Sequence, residues 1–193
     1  MIKNIDPTLL NKQTSFNVQD KYKHLSAEEL KEVAKSLTYP FAVALANISG
    51  DLNIGNCVRT SAVFGAEKVF IFGRRKWDRR SAVGGNNYVP VDAHTVDTDP
   101  FDWDSALQVV RVNGYRPVLF ETVGKPLSEY PNDFHHGKPC LVFGPEGFGI
   151  PKSICEKELC YYIPQRGVLR SLNVASAAAI AIQYISGIVA STK

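Results

Sequence analysis

The stretch Ile163–Ala181, IPQRGVLRSLNVASAAAIA, decides how this chain is read. It opens as the end of a strand, Tyr161 to Pro164, and continues as a polar loop with a glycine, Gln165 to Arg170. It then enters a helix at Ser171, a favourable N-cap because a serine hydroxyl accepts from an orphan amide of the first turn. Beyond it stand Val174, Ala175, Ala177, Ala178, Ala179, Ile180, Ala181 and Ile182, apolar on nearly every face. Such a helix is buried on all sides or packed on a partner. Strand, polar turn and helix start together set amides and polar side chains at a sheet edge, where open α/β proteins bind ligands. An ordinary capped turn fits the same residues, and this stretch alone does not separate the two.

Two more stretches extend the reading: Asp51–Ala66, DLNIGNCVRTSAVFGA, and Leu141–Pro151, LVFGPEGFGIP. In the first, Asn53 caps a helix that runs to Phe64. Gly55 leaves room in its first turn for something to approach the backbone, and Arg59 follows about one and a half turns on. The second is an apolar strand that ends in glycines around Glu146. Further strands are expected at Phe41–Ile48, Val69–Phe72, Tyr115–Thr122, Cys140–Phe143 and Tyr161–Ile163. Further helices are expected at Ala27–Leu37, opened by the capping box Ser26 to Glu29, and at Asp102–Val112. This alternation predicts an α/β domain with a mainly parallel sheet. The first strand leads into Asp51-Leu52-Asn53 and not into G-x-G-x-x-G, which disfavours a Rossmann-type cofactor site.

With 193 residues, 45% of them hydrophobic, the chain suits one domain, residues 40–193, behind an N-terminal extension, 1–39, that carries one helix. A net charge of +3 does not by itself announce nucleic acid. Locally, Arg74, Arg75, Lys76, Arg79 and Arg80 surround Trp77, a grouping able to neutralise phosphates and stack a base; a solvated loop around a half-buried tryptophan is the plainer reading. That loop runs on through Ser81–Asn87 and is expected to be mobile. Cys57, Cys140, Cys155 and Cys160 have no CxxC spacing and form no ligand pattern with the histidines, so buried free thiols and no metal are expected. The opening MIKNIDPTLLNKQ is too polar for a signal peptide. The C-terminal apolar stretch is shorter than a membrane span and is interrupted by Asn173, Ser176 and Gln183. These features predict a cytoplasmic protein without a membrane segment.

In this order and at this spacing the three stretches resemble the three motifs of the SpoU (TrmH) family of RNA ribose methyltransferases, within the SPOUT superfamily. N-x-G-x-x-x-R is matched by Asn53, Gly55 and Arg59. G-x-E-G is matched by Gly144, Glu146 and Gly147. I-P, a glycine and S-L-N-V are matched by Ile163, Pro164, Gly167, Ser171, Leu172, Asn173 and Val174. The resemblance runs from Pro40 to the C-terminus. It implies a deep trefoil knot over about Phe120 to Ile185. It implies S-adenosylmethionine as cofactor, held by Glu121, Thr122, Phe143, Gly144, Gly147, Ile163, Gln165, Gly167 and Leu172. It places Arg59 at the reacting ribose hydroxyl. Because a guanidinium stays protonated, gripping a phosphate suits Arg59 better than abstracting a proton. Asn53 and Glu146 would orient Arg59 or the target nucleotide, with Glu146 the reserve general base. Ser171 and Asn173 would share the helix start, the first capping it and the second pointing to the site.

Two departures from the usual motifs stand out: Pro145 stiffens the loop before Glu146, and Arg170 precedes Ser171 where many members have Glu. The run from Gln165 to Val174 resembles most the subgroup of eukaryotic tRNA guanosine-18 ribose methyltransferases, in which Arg166 and Arg170 would add charge beside the site. The resemblance therefore implies 2′-O-methylation of structured RNA, tRNA ahead of rRNA. A non-catalytic RNA-binding protein and an RNA base methyltransferase are the alternatives. A homodimer is also implied, and the small residues Ala175, Ala178 and Ala179 with Ile182 suit close helix packing between subunits.

Overall fold

The computed structural model describes residues 17–73, 77–131 and 137–191. Its centre is the strand β1 (Tyr39–Ala46), in which every residue from Phe41 to Ala46 is buried. The strands β2 (Ala66–Gly73), β3 (Val91–Thr95), β4 (Tyr115–Pro126), β5 (Lys138–Phe143) and β6 (Leu159–Tyr162) complete one sheet, ordered β3-β2-β1-β5-β4-β6. All five pairings are parallel. Parallel strands buried on both faces read as continuous apolar runs, which is why β1 and β5 are legible from sequence.

Helices cover both faces: α1 (Ala27–Ser36), α2 (Asp51–Val63), α3 (Trp103–Val112), α4 (Lys152–Cys155) and α5 (Val174–Ser191). The two sides of β1 differ in size. Phe41, Val43 and Leu45 pack with residues of α2 and α5. Ala42, Ala44 and Ala46 leave room on the other side for Phe70, Phe72 and the apolar face of α3. Burying each large side chain stabilises by about 1.5–3 kcal/mol.

Several expectations hold. Ser26 and Glu29 form the capping box of α1, with Ser26 N donating to Glu29 Oε2 at 2.8 Å. Asp102 caps α3 by accepting from Ser105 N at 3.0 Å. The four cysteines are free and buried, and burial pushes the Cys57 thiol up to about 12, with the Glu146 charge a smaller cause.

Other expectations are corrected. The sheet has six strands, not five: β3 was missed because Val91-Asp92-Ala93-His94-Thr95 is a half-exposed, polar edge strand. β4 continues past Thr122 to Pro126 through exposed residues, and α4 had no apolar period to announce it. α2 begins at Asp51 behind Gly50, so Asn53 lies inside the first turn and is not its cap. α5 begins at Val174, three residues after Ser171, and its cap is Asn173. By length and composition α5 is apolar enough to cross a membrane. Here it is a core helix, with Ala178, Ala181, Ile182 and Ile185 fully buried. Ala178 and Ile182, proposed from sequence as a subunit contact, therefore face the protein's own core. The outward face carries Ser176, Ile180, Gln183, Gly187 and Ala190.

Residues 79–87, expected as a mobile loop, form two 3-10 turns, Arg79–Ala82 and Gly85–Asn87, packed on α2. Contact is close enough to exclude any side chain at Gly55, where a Cβ would run into Ser81 backbone and side-chain atoms. At Gly85 a Cβ would lie 2.8 Å from the Arg59 Cα. The room that Gly55 leaves is thus filled from within the chain. Gly55→Ala should destabilise by about 1–3 kcal/mol through overpacking, measured as a fall in the urea midpoint at constant m. An unchanged midpoint would mean that these turns do not bear on α2.

Candidate functional site

β1 and β5 lie side by side, and the chain leaves them in opposite lateral directions: β2 and β3 extend the sheet past β1, while β4 and β6 extend it past β5. Such a switch in strand order opens a crevice beyond the carboxyl ends of the strands. The end of β1 leads to α2 and Asn53. The end of β5 leads to Gly144–Gly149. The end of β6 leads through residues 163–173 to α5. Each of the three sequence motifs therefore begins at the same edge of the sheet.

A chain of hydrogen bonds joins them. Asn53 Nδ2 donates to Glu146 Oε1 at 2.6 Å. Asn173 Nδ2 donates to Asn53 Oδ1 at 3.1 Å. Asn173 Oδ1 accepts from the amides of Ala175 at 2.9 Å and Ser176 at 3.3 Å, which caps α5. Asn173 is thus both cap and bridge, and among the described residues Ser171 makes no cap bond to α5. The Glu146 carboxylate also stands near the start of α2, 3.8 Å from where a Cβ on Gly50 would be. The cap residue Gly50 has no side chain to offer, and a negative charge is favoured at a helix start.

Beside this chain lies a cavity of about 200 Å³. Phe120, Glu121 and Thr122 from the middle of β4 line it, as do Phe143 to Gly149, Ile163, Gln165, Arg170, Ser171 and Leu172, and Val174 and Ala177 of α5. Eight of the nine residues expected around a cofactor are among them; Gly167 is not, and nothing lies within 4 Å of where its Cβ would be. Phe120 and Phe143 stack with ring centroids 5.2 Å apart at its base. Glu121 ties the loops together: Oε2 accepts from Ile150 N at 2.8 Å and Oε1 from Thr122 N at 2.9 Å. At Gly144 a Cβ would lie 2.7 Å from Ile150 Cγ1, so this glycine is required by the packing of its own loop. Gly144→Val would therefore disturb the loop directly as well as the space in front of it.

Arg59 is not part of this group. Six residues beyond Asn53 on α2, it stands about 9 Å along the axis and about 120° around it. It is exposed and lines a separate groove of about 780 Å³ between α1, α2 and the outward face of α5. In the basic run, Arg80 Nε lies 3.0 Å from both oxygens of Asp78 and Nη2 lies 2.7 Å from Oδ2, which holds the Asp78 carboxyl below its ordinary range. Arg79 is exposed. Arg74, Arg75 and Lys76 lie outside the described residues. Arg166 and Arg170 are exposed, and only Arg170 reaches the cavity.

A sequence model of the SpoU rRNA Methylase family matches residues 40–183. The chain belongs to this family. It is 30% identical over 142 residues to the 23S rRNA (guanosine(2553)-2′-O)-methyltransferase RlmP of Bacillus subtilis, a match that covers 70% of this chain and 53% of that one. The chain spans about half the length, or less, of most curated relatives it matches. The TrmH/SpoU tRNA modifying enzyme of A. aeolicus superposes with a TM-score of 0.69 at 19% identity, covering 86% of this chain and 83% of that one. AviRb, a SpoU methyltransferase of Streptomyces viridochromogenes solved with the cofactor AdoMet, superposes with a TM-score of 0.62 at 18% identity, covering 80% and 60%. These structures share the fold.

Within this SpoU-family fold, sequence reading missed Phe148 and Gly149 as cavity residues and Glu121 as the clamp between loops. The only signal for Phe148 is a large aromatic side chain between two glycines. The capping reassignment is directly measurable. Asn173→Ala should cost about 0.5–2 kcal/mol of unfolding free energy, and Ser171→Ala should leave the urea midpoint unchanged. The reverse order would return the cap to Ser171.

Proposed function

We propose that this chain is an S-adenosylmethionine-dependent RNA ribose 2′-O-methyltransferase. The observation that carries the reading is the hydrogen-bonded convergence of Glu146, Asn53 and Asn173, one from each motif, beside a cavity that Glu146 lines and three loops wall. That cavity suits the cofactor: Phe120, Phe143, Ile163 and Leu172 offer apolar walls to a purine, and loop backbone supplies polar groups. When bound, S-adenosylmethionine supplies an activated methyl group on a sulfonium sulfur. The protein positions the ribose hydroxyl and handles one proton.

Glu146 is the proton acceptor nearest to that task, and the bond from Asn53 fixes its orientation. Arg59 lies outside the cavity of its own chain, in the groove assigned to the homodimer, and takes a substrate phosphate in the assembled dimer, where its fixed positive charge offsets the charge that develops on the ribose oxygen. The substrate is tRNA in preference to rRNA, a choice supported by the likeness of residues 165–174 to the tRNA guanosine-18 subgroup and by Arg170 at the cavity. Phe120–Ile185 carries the trefoil threading. This is supported by membership of the family alone. A homodimer forms over the groove beside Arg59, where the outward face of α5 and the apolar stripe of α1 lie together. Free buried thiols support a cytoplasmic, reducing setting.

The test is incubation with total RNA and methyl-labelled cofactor, followed by mapping of ribose methylation. Label on a ribose in tRNA is the expected result. Label on a base would favour base methylation, and cofactor-independent RNA binding without label would favour a non-catalytic role. Arg59→Ala should lower the single-turnover rate by roughly 100- to 1,000-fold, as loss of one charge-stabilising donor does, with cofactor affinity unchanged. A parent-like rate would remove Arg59 from the chemistry.

A further inference from the structure

Phe148 lines the cavity yet is 73% exposed. It sits on a turn braced by backbone hydrogen bonds. Gly149 N donates to Pro145 O at 3.0 Å, Gly149 holds a left-handed φ of +70°, and the next amide, Ile150 N, is held by Glu121. Among the described residues its ring forms no aromatic pair, whereas Phe120 and Phe143 deeper in the cavity stack on each other. A flat apolar ring is thus presented to solvent one residue beyond Gly147 and two beyond Glu146.

The charges around it select the occupant. The two carboxylates of the cavity are engaged internally, Glu121 by the amides of Thr122 and Ile150 and Glu146 by Asn53. Arg170, from the loop before α5, is the cation of the same cavity, and Arg166 is exposed nearby in sequence. Between these arginines Val168 and Leu169 are fully or largely exposed. A ring beside arginines is the chemistry that binds an unpaired nucleotide: the ring stacks the base and a guanidinium takes the phosphate.

We propose that Phe148 is the platform on which the base of the target nucleotide stacks, with Arg170 taking an adjacent phosphate, so that the substrate is an RNA that presents an unpaired nucleotide. The inference rests on the methyltransferase reading and adds the form of its substrate. A phenyl ring has no hydrogen-bond donor or acceptor to read a base edge, so this contact holds any base, and base identity is read elsewhere. A nucleotide inside an A-form helix has no free face to stack.

The test uses the parent, Phe148→Ala and Phe148→Trp, with three readouts. The first is fluorescence of a single-stranded oligoribonucleotide carrying 2-aminopurine. The second is kcat/KM for bulk tRNA with labelled cofactor. The third is S-adenosylmethionine affinity by calorimetry. Stacking predicts quenching by the parent and the Trp variant and little by the Ala variant. It also predicts a kcat/KM for Phe148→Ala lower by roughly 5- to 150-fold, the worth of one stacked base, with cofactor affinity unchanged. Equal quenching by the parent and Phe148→Ala would overturn the proposal, and so would a loss of cofactor affinity in Phe148→Ala, which would put the ring against the cofactor. Because quenching needs no turnover, an RNA that is quenched but never methylated would sink the methyltransferase reading and leave the stacking standing.

Discussion

The hydrogen bond from Asn53 to Glu146, 2.6 Å long between residues 93 apart in sequence, is the contact on which the site depends. It crosses the point where the strand order reverses, between the ends of β1 and β5. Two further conditions sustain it. Gly50 leaves the start of α2 without a side-chain cap, so the Glu146 carboxylate joins Asp51 of the first turn in meeting its partial positive charge. Asn173 holds the far side of Asn53 while capping α5. One amide side chain thereby links two helix starts and a carboxylate, and the third motif is brought to the first two.

The cavity beside this chain is rigid for related reasons. Glu121 fixes the amide of Ile150, and the turn from Pro145 to Gly149 closes on its own backbone. On the opposite side of α2, the 3-10 turns of residues 79–87 press on Gly55 and on the backbone of Arg59. The helix that carries Asn53 and Arg59 is therefore held from both sides. A site of this kind meets its ligands largely preformed, and little ordering is left for the moment of binding.

Much of this was legible in the sequence. Continuous apolar runs gave β1 and β5, and Ser26 and Asp102 marked true helix starts. Eight of the nine positions that the family resemblance marks for a cofactor lie around one cavity. The failures share a cause, which is that local chemistry was read without its tertiary partner. Ser171 is a better cap than most residues, but the chain enters α5 two residues later, where Asn173 serves both the cap and Asn53. Asn53 looked like a cap until Gly50 took that place. Val91–Thr95 forms a strand because the edge of β2 accepts it, not because its own pattern demands it. Ala178 and Ile182 suit close packing, and they pack into the core of their own chain, with α2 and the sheet. The separation of Arg59 from Asn53, by contrast, follows from helix geometry alone and could have been computed from their spacing.

If Asn53 and Asn173 act as one unit, their contributions to stability cannot be independent. The direct measurement is a double-mutant cycle in urea on Asn53→Ala, Asn173→Ala and the pair. A coupling energy of about 0.5 kcal/mol or more, with the double variant less destabilised than the sum of the singles, is the result predicted for residues that share a hydrogen bond. Strict additivity within about 0.3 kcal/mol would contradict the claim that this chain of bonds joins the three motifs.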